Sequence, residues 1–479
     1  MSLKTSFLNG VAWTTFERFL SYFAQFLIGV ILARLLSPKE YGILGVLLIF
    51  TNLSRVFIDS GFGNALIYFH DKNKKDMSTV FVFNLFVSTC IYILLYFSST
   101  FIETFFKIEG LALYLKVITI TLFFNSLQIV PIAILKIDFK FKQLAFVNTS
   151  VTIISGVFGI ILAYWGFGIW ALVAQTIMNS VLGSLSLVII SRFVCDFHFY
   201  VSSFKKLYKY SVNLFGASLL TNIVDETTSF VIGKFLTATN LGIFSRAKHF
   251  MMLPFNTIGS VLFTVLFPSL ASVKDDKVKF QEAYDKIELF MAMFSIPLYV
   301  LLSIESRDII LIVLGDKWEA ASIVLAIMCA SRIFALCAMV TENTLNAVGK
   351  ANVFFRLQVV KMVLKMIIIL VSVHYGFMAL VISEALFVFA QFFITNYYSK
   401  SSLKRGSLYQ LRAYSPFLGS SLIAGVATYM VATFLHNIYV SLSASIIIYF
   451  SLYILLIFAF RQKYLLVELF QLVKNKKGK

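Results

Sequence analysis

Charged side chains interrupt the long apolar segments of this 479-residue sequence. Placing such a charge in hydrocarbon costs about 2.5–3.5 kcal/mol on insertion scales, so each one needs a partner, water or a ligand. The basic residues outnumber the acidic ones, and arginine presents forked donors that suit phosphate oxygens. We therefore expect an interior site with surplus positive charge. The cations are Arg18, Arg34, Arg55, Lys116, Arg246, Lys248, Arg332, Lys361 and Lys365, and the acids are Glu17, Asp59, Asp225, Glu226, Glu342 and Glu384.

Helical spacing predicts which of these cations line a cavity. Arg18 and Arg246 each share a helix face with other polar residues, which indicates a lining position. Arg55 and Asp59 are four residues apart and so lie on one helix face. They are expected to form a local ion pair, to line the cavity, or both.

Lys361 and Lys365 repel each other at the same four-residue spacing. Two cations on one turn would be costly toward lipid, so we expect them to face water, Glu384 or an anionic ligand. The cations predicted to bind the ligand are Arg18, Arg55, Arg246, Lys361 and Lys365.

The acidic residues allow two interpretations. Asn222, Asp225 and Glu226 form a polar cluster on one segment, which suits either salt bridges to the cations or coupling to H⁺ or Na⁺. The acids predicted to lie in the cavity are Asp59, Asp225, Glu226 and Glu384. We expect no cofactor and no metal site.

Motifs for catalysis are absent from the sequence. It has no glycine-rich phosphate loop ending in Lys-Ser/Thr, no zinc-type histidine pair and no nucleophile elbow. The sequence therefore predicts a transporter that draws energy from an ion gradient, the membrane potential or the substrate gradient, and not an enzyme.

The amino-acid composition predicts membrane-spanning helices, and these helices must position the charged residues. Apolar residues make up 59% of the chain and charged residues 13%, with a mean hydropathy of +0.87. The charged fraction is about half the ~25% usual for soluble domains, so the class is a polytopic, all-α membrane protein. Fourteen segments reach the roughly 20 residues that a membrane helix needs. They are 10–36, 40–69, 78–101, 111–135, 143–165, 168–193, 210–236, 240–272, 287–304, 319–347, 352–374, 377–398, 413–435 and 438–460.

The basic residues in and near the connections between these segments predict the orientation. One alternating set of connections carries 27 Lys and Arg and the other carries 5. Cytoplasmic connections are the basic ones, so both termini are expected in the cytoplasm. This bias explains most of the net charge of +18 without a nucleic-acid ligand.

An internal repeat predicts the domain organisation. The segment at 33–43 recurs at 233–243 with a basic residue, an apolar pair, a hydroxyl residue and a glycine in matching places. Six predicted spans separate the copies, so both halves have the same orientation. We expect an N-lobe at 1–193, a C-lobe at 194–399 and, at 400–479, two extra helices with a basic tail. The two six-helix lobes would enclose a central cavity.

Four segments carry a family resemblance. They read LARLLSPKEYGILG at 32–45, FIDSGFGNALI at 57–67, GFGIWALVAQ at 166–175 and LGIFSRAKHFMMLPFNTIGSVLFTVLFPSLASV at 241–273. The chain resembles the Wzx-type polysaccharide flippases of the MATE/MOP superfamily, near the colanic acid and teichuronic acid exporters. The resemblance implies a flippase for a lipid-linked oligosaccharide on undecaprenyl pyrophosphate. It also implies the bacterial inner membrane, a role in cell-surface polysaccharide (lipopolysaccharide) biosynthesis, and alternating access between the lobes.

Three other functions remain open at this point. A MATE-like ion-coupled antiporter for small molecules usually carries cations, which a positively charged cavity would host poorly. A membrane polymerase or ligase would need a long extracytoplasmic loop, and the outer connections here are short. A non-transporting scaffold of a polysaccharide synthesis complex would leave the charged interior unexplained, although such a complex is a possible partner of a flippase too.

Overall fold

The structure is a computed structural model that describes residues 20–21, 23–69, 73–194, 196–261, 270, 276–347, 351–403, 405–435 and 437–459. Within these residues the chain forms helices and no strand, which confirms the all-α prediction. The helices are α1 Phe23–Leu35, α2 Pro38–Asp59, α3 Phe62–Phe69, α4 Lys74–Phe106, α5 Leu111–Ile118, α6 Thr121–Ile137, α7 Phe141–Tyr164, α8 Ile169–Ser191, α9 Val201–Phe235, α10 Ala238–Val261, α11 Lys277–Ile304, α12 Ser306–Val313, α13 Ala320–Arg332, α14 Ala335–Ala347, α15 Ala351–Ser372, α16 Phe377–Leu403, α17 Ser407–Ala432 and α18 Ile438–Ala459.

The helices are long and apolar enough to make the chain a multi-pass membrane protein. In the described ranges ten helical stretches qualify as spans, and α13 with α14 makes an eleventh that bends by 45°. The other three predicted spans correspond to α1, α9 and α10. The described parts of α1 and α10 stop short of their predicted spans, and α9 carries lysines and acids that lower its hydropathy. The count of fourteen stays a prediction.

The turn between α1 and α2 is a capping box. Ser37 is the N-cap of α2, and its hydroxyl accepts a hydrogen bond from the Glu40 N–H at 3.4 Å. The Glu40 carboxylate accepts the Ser37 N–H at 2.6 Å in return. Pro38 occupies the first turn, where no backbone donor is needed. This local chemistry ends the first span sharply and sets the entry angle of the second.

The two copies of the sequence repeat pack against each other. A Cβ added to Gly42 would lie 1.6 Å from the carbonyl oxygen of Ala238, and one added to Gly242 would lie 1.8 Å from that of Pro38. Residues 38 and 238 are equivalent in the repeat, as are 42 and 242. The contact is therefore reciprocal, and only glycine allows the two turns to approach so closely.

The chain divides into two compact units, Met1–Ser245 and Arg246–Lys479. In the first unit α9 packs against α2, α3 and α4, while α6 packs against α8 and α4. In the second unit α11 packs against α13, α14 and α17 around a large apolar core. The lobe boundary at residue 193 and the separate terminal pair of helices stay predictions.

Candidate functional site

A polar cavity lies inside the first unit. It encloses about 430 Å³ and is lined by side chains of α2, α6 and α9 together with the turn after α2. Its polar lining residues are Asn52, Arg55, Asp59, Asn125, Gln128, Ser218 and Asn222. The structure thus brings the predicted pair Arg55 and Asp59 to one cavity with amide and hydroxyl groups from three helices.

Arg55 is accessible to the solvent space of this cavity. In the described part of the chain its guanidinium has no acid within ion-pair distance and no hydrogen-bond acceptor. The predicted ion pair with Asp59 is therefore not formed, although both side chains line the same space. An arginine in this state presents its full set of donors to whatever enters the cavity.

Asp59 has a local structural role instead. The second predicted span breaks after it, because Ser60 and Gly61 adopt left-handed backbone conformations with φ of 45° and 77°. Helix α3 then starts at Phe62, and Asp59 Oδ1 accepts the Gly63 N–H at 3.2 Å. The carboxylate thus bonds to a backbone donor at a helix N-terminus, where negative charge is favourable.

The amides Asn125 and Gln128 of α6 were missed as site residues because they carry no charge, whereas Asn222 was named only as part of the polar cluster on its segment. Gln128 Nε2 donates to the Ser180 carbonyl at 3.1 Å, and Asn222 Nδ2 donates to the Ser218 carbonyl at 2.9 Å. Asn125 lines the cavity one turn from Gln128 on α6. The i,i+3 spacing of two amides in an apolar segment was the available signal. Amides both donate and accept, so this wall suits a ligand rich in hydroxyl groups.

The predicted acids of α9 lie near this wall. Glu226 Oε1 accepts a hydrogen bond from Asn52 Nδ2 at 3.0 Å, which joins α9 to α2. Asp225 is its neighbour on the same helix. A role of either acid in ion coupling stays a prediction. The described residues contain no group of three or more acid, histidine and cysteine side chains placed to hold a metal.

Two predicted cations on α15 are buried in ion pairs. Lys361 is 4% exposed and contacts Glu342, and Lys365 is 6% exposed and lies 3.2 Å from Glu384. Gln358 donates to Glu342 as well, at 3.1 Å. Of the expected alternatives, the structure thus supports a pairing with Glu384 for Lys365. Their predicted contact with a ligand stays a prediction.

The remaining two predicted cations are placed differently. Arg246 lies on α10 and is the first residue of the second unit. Arg18 lies outside the described residues.

Removing one partner of the Lys361–Glu342 pair should be strongly destabilising. Glu342→Gln leaves a buried lysine without its acid, which costs about 3–5 kcal/mol when a buried pair is broken. The double variant Glu342→Gln/Lys361→Met removes both charges and should recover most of that loss. Thermal unfolding of the purified variants measures the difference. The single variants Glu342→Gln and Lys361→Met are measured beside the double variant. If the stability lost in the double variant equals the sum of the two single losses, the pair is not coupled.

Known proteins are similar to this chain in fold and in sequence. The structure superposes on the lipid II flippase MurJ, in an inward closed conformation, with a TM-score of 0.78 over 95% of this chain and 99% of that one, at 18% identity. The succinoglycan biosynthesis transport protein ExoT of Rhizobium meliloti is 23% identical over 348 residues, which are 72% of this chain and 70% of ExoT. The teichuronic acid biosynthesis protein TuaB of Bacillus subtilis is also 23% identical, over 74% of each chain.

A family model confirms the resemblance predicted from the four motifs. It is described as "Polysaccharide biosynthesis protein" and matches residues 31–323, which include the capping box, the polar cavity and the reciprocal glycine contact. The match extends over more than half of the sequence. This membrane protein, with a polar cavity and an accessible arginine among its spans, belongs to that polysaccharide biosynthesis family.

Proposed function

We propose that this protein is a flippase that moves a lipid-linked oligosaccharide across the bacterial inner membrane for the synthesis of a cell-surface polysaccharide. The observation that carries the proposal is the cavity of the first unit, where Arg55 is accessible and has no acid partner in the described chain. A pyrophosphate group suits such an arginine, since its oxygens accept forked guanidinium donors. Sugar hydroxyls suit the surrounding amides of Asn125, Gln128 and Asn222.

The relatives support the same substrate class. ExoT is named as a transport protein of succinoglycan biosynthesis, TuaB as a protein of teichuronic acid biosynthesis, and MurJ as a flippase of lipid II. These names together favour a glycan carried on a lipid. We propose undecaprenyl pyrophosphate as the carrier, as the family resemblance implies. In the proposed cycle the N-lobe and C-lobe open the cavity alternately to each side, and both termini stay in the cytoplasm.

A cation antiporter is the weaker alternative for this site. A cationic substrate would meet an accessible arginine whose charge no neighbouring acid within ion-pair distance neutralises in the described residues. Coupling of flipping to H⁺ or Na⁺ and docking onto a synthesis complex are compatible with the proposal.

The decisive experiment reconstitutes the purified chain in liposomes that contain an undecaprenyl-pyrophosphate oligosaccharide. Flipping is read as the fraction of glycan that becomes accessible to a membrane-impermeant glycan-binding or glycan-cleaving protein. We expect the protected fraction to fall with time only in vesicles that contain the protein. Release of a cationic dye under an ion gradient, with no flipping, would instead identify an antiporter.

A further inference from the structure

A buried carboxyl of the second unit was not among the acids that the sequence analysis singled out. Glu288 lies on α11 and is 3% exposed. It accepts hydrogen bonds from the hydroxyls of Tyr284, at 2.5 Å, and Thr341, at 2.8 Å, on one oxygen. The hydroxyl of Tyr414 donates to its other oxygen. Three helices, α11, α14 and α17, therefore meet at one carboxyl.

Glu288 differs in its partners from Glu342 and Glu384, two acids that lie in other helices of this unit. Glu342 contacts Lys361 and Glu384 contacts Lys365, so each of those negative charges has a cation. Across the described residues, no lysine, arginine or histidine lies within ion-pair distance of Glu288, and its hydrogen-bond partners are neutral hydroxyls. An ionised carboxylate without a cation is costly in a membrane interior, whereas a protonated one is not.

The surrounding hydroxyls can satisfy both protonation states. Around the ionised form, Tyr284, Thr341 and Tyr414 all donate to the carboxylate. Around the protonated form, the acid donates to one hydroxyl, and Thr341 can donate to the Cys337 carbonyl at 3.3 Å instead. Gln410 Nε2 donates to the Tyr284 oxygen at 3.0 Å in either case. One proton from water can thus form an O–H bond on Glu288 and remove its charge without moving the backbone.

The titratable groups nearest this carboxyl lie on the three helices that meet there. On α11, Asp285 is bonded to Arg405 through Nε at 2.9 Å, and both side chains are partly exposed. On α14 the neighbouring titratable group is Cys337, which is buried. On α17 it is Tyr414, and Tyr409 also approaches Asp285, at 3.4 Å.

Helices α12, α13 and α18 also pack against α11. On α12, Arg307 is paired with Glu319 at 2.9 Å. On α18, Tyr453 donates to the Met293 carbonyl at 2.7 Å, and on α13, Arg332 lies over the Phe255 ring at 5.2 Å. None of these side chains supplies a charge to Glu288. The Asp285–Arg405 pair lies three residues before Glu288, about one helical turn away, and is partly exposed, so it marks the side from which a proton can reach the carboxyl.

We propose that Glu288 is the proton-binding site of this transporter, taking up a proton in one half of the transport cycle and releasing it in the other. Its charge controls how α17 docks on α11 and α14, because Tyr414 bonds to the same carboxyl. The coupling to transport rests on the proposed flippase function, whereas proton binding by Glu288 does not.

Infrared difference spectroscopy of the purified full chain tests proton binding directly. Titration between about pH 4 and 9 should reveal a carbonyl band of a buried protonated carboxyl that is lost at alkaline pH. Glu288→Gln should abolish the band. Glu282→Gln, which removes an exposed acid six residues earlier on the same helix, should leave it unchanged. A band that persists in Glu288→Gln would overturn the proposal, and so would its absence from the unmodified protein.

A second variant keeps the test valid if Glu288→Gln does not fold. Tyr414→Phe retains the carboxyl but removes one donor to its ionised form, so the band should remain and its midpoint should move to higher pH. An unchanged midpoint would contradict the proposed network.

Coupling is read separately, as flipping in liposomes under opposite pH gradients. The unmodified protein should flip at different rates in the two gradients, and Glu288→Gln should flip at one rate in both. Equal sensitivity of both proteins to the gradient would overturn coupling through Glu288. A titrating band in a protein that flips no lipid would support the proton site and reject the flippase.

Discussion

Replacing Arg55 by glutamine is expected to reduce flipping about tenfold to a hundredfold at normal protein abundance. The substitution removes one charge-assisted contact to the pyrophosphate, worth about 1.5–3 kcal/mol. Because Arg55 has no acid partner in the described residues, its loss strands no buried charge and should leave folding intact. Initial flipping rates at equal amounts of reconstituted protein measure the effect.

Two further variants control this result. Arg55→Lys keeps the charge but not the forked donors, and should fall between the unmodified protein and Arg55→Gln. Lys116→Gln removes another intramembrane cation, which lies over the Tyr96 ring at 4.7 Å and is absent from the cavity lining, and should flip normally. Normal flipping by an abundant Arg55→Gln protein would show that the cavity cation is not part of the substrate site.

Placing a side chain on either repeat glycine should have the second large effect. Gly42→Ala or Gly242→Ala would bring Cβ within 2 Å of a carbonyl oxygen, so the two turns must move apart. Overpacking of this kind costs typically about 1–3 kcal/mol, and the close-packed arrangement would become about fivefold to a hundredfold less populated. If the transport cycle passes through this arrangement, flipping should fall by the same factor.

Crosslinking makes the glycine result interpretable. Cysteines placed at Ser37 and Thr237 should crosslink efficiently in the parent protein and poorly after Gly42→Ala. Gly216→Ala is the matched control, since no heavy atom lies within 4 Å of its added Cβ. Unchanged crosslinking and flipping in both glycine variants would contradict a close-packed state in the cycle.

The helices were predictable because a membrane-spanning helix must have a minimum length and an apolar composition, and both can be read from the sequence. The breaks within predicted spans were not. The predicted span 40–69 is divided at Ser60 and Gly61 into α2 and α3, and the span 319–347 bends between α13 and α14. Hydropathy averages over such interruptions, since a single turn with positive φ leaves the apolar count unchanged. The glycines beside Asp59 were the visible sign of the first break.

The candidate site was predicted only in part, because the sequence shows which residues share a helix face but not which residues of different helices meet. Helical spacing identifies the face on which Lys361 lies, but not that Glu342 on another helix neutralises it, because partners between helices follow from packing. Glu288 was not predicted as a site residue because it lies at the edge of the predicted span 287–304. In the structure helix α11 begins ten residues before that span, at Lys277, so Glu288 lies well inside the helix. Asn125 and Gln128 were not predicted as site residues because they are uncharged, and the prediction selected charged residues within apolar segments.

The reciprocal glycine contact has a consequence for suppressor genetics. The atom that would obstruct a side chain at Gly42 is the main-chain oxygen of Ala238, and the one that would obstruct a side chain at Gly242 is the main-chain oxygen of Pro38. Every amino acid has a main-chain carbonyl oxygen, so no substitution at position 38 or 238 can remove the obstructing atom. Second-site revertants of a Gly42 or Gly242 allele should therefore arise in residues that set how far apart the two turns lie, and not at the point of collision.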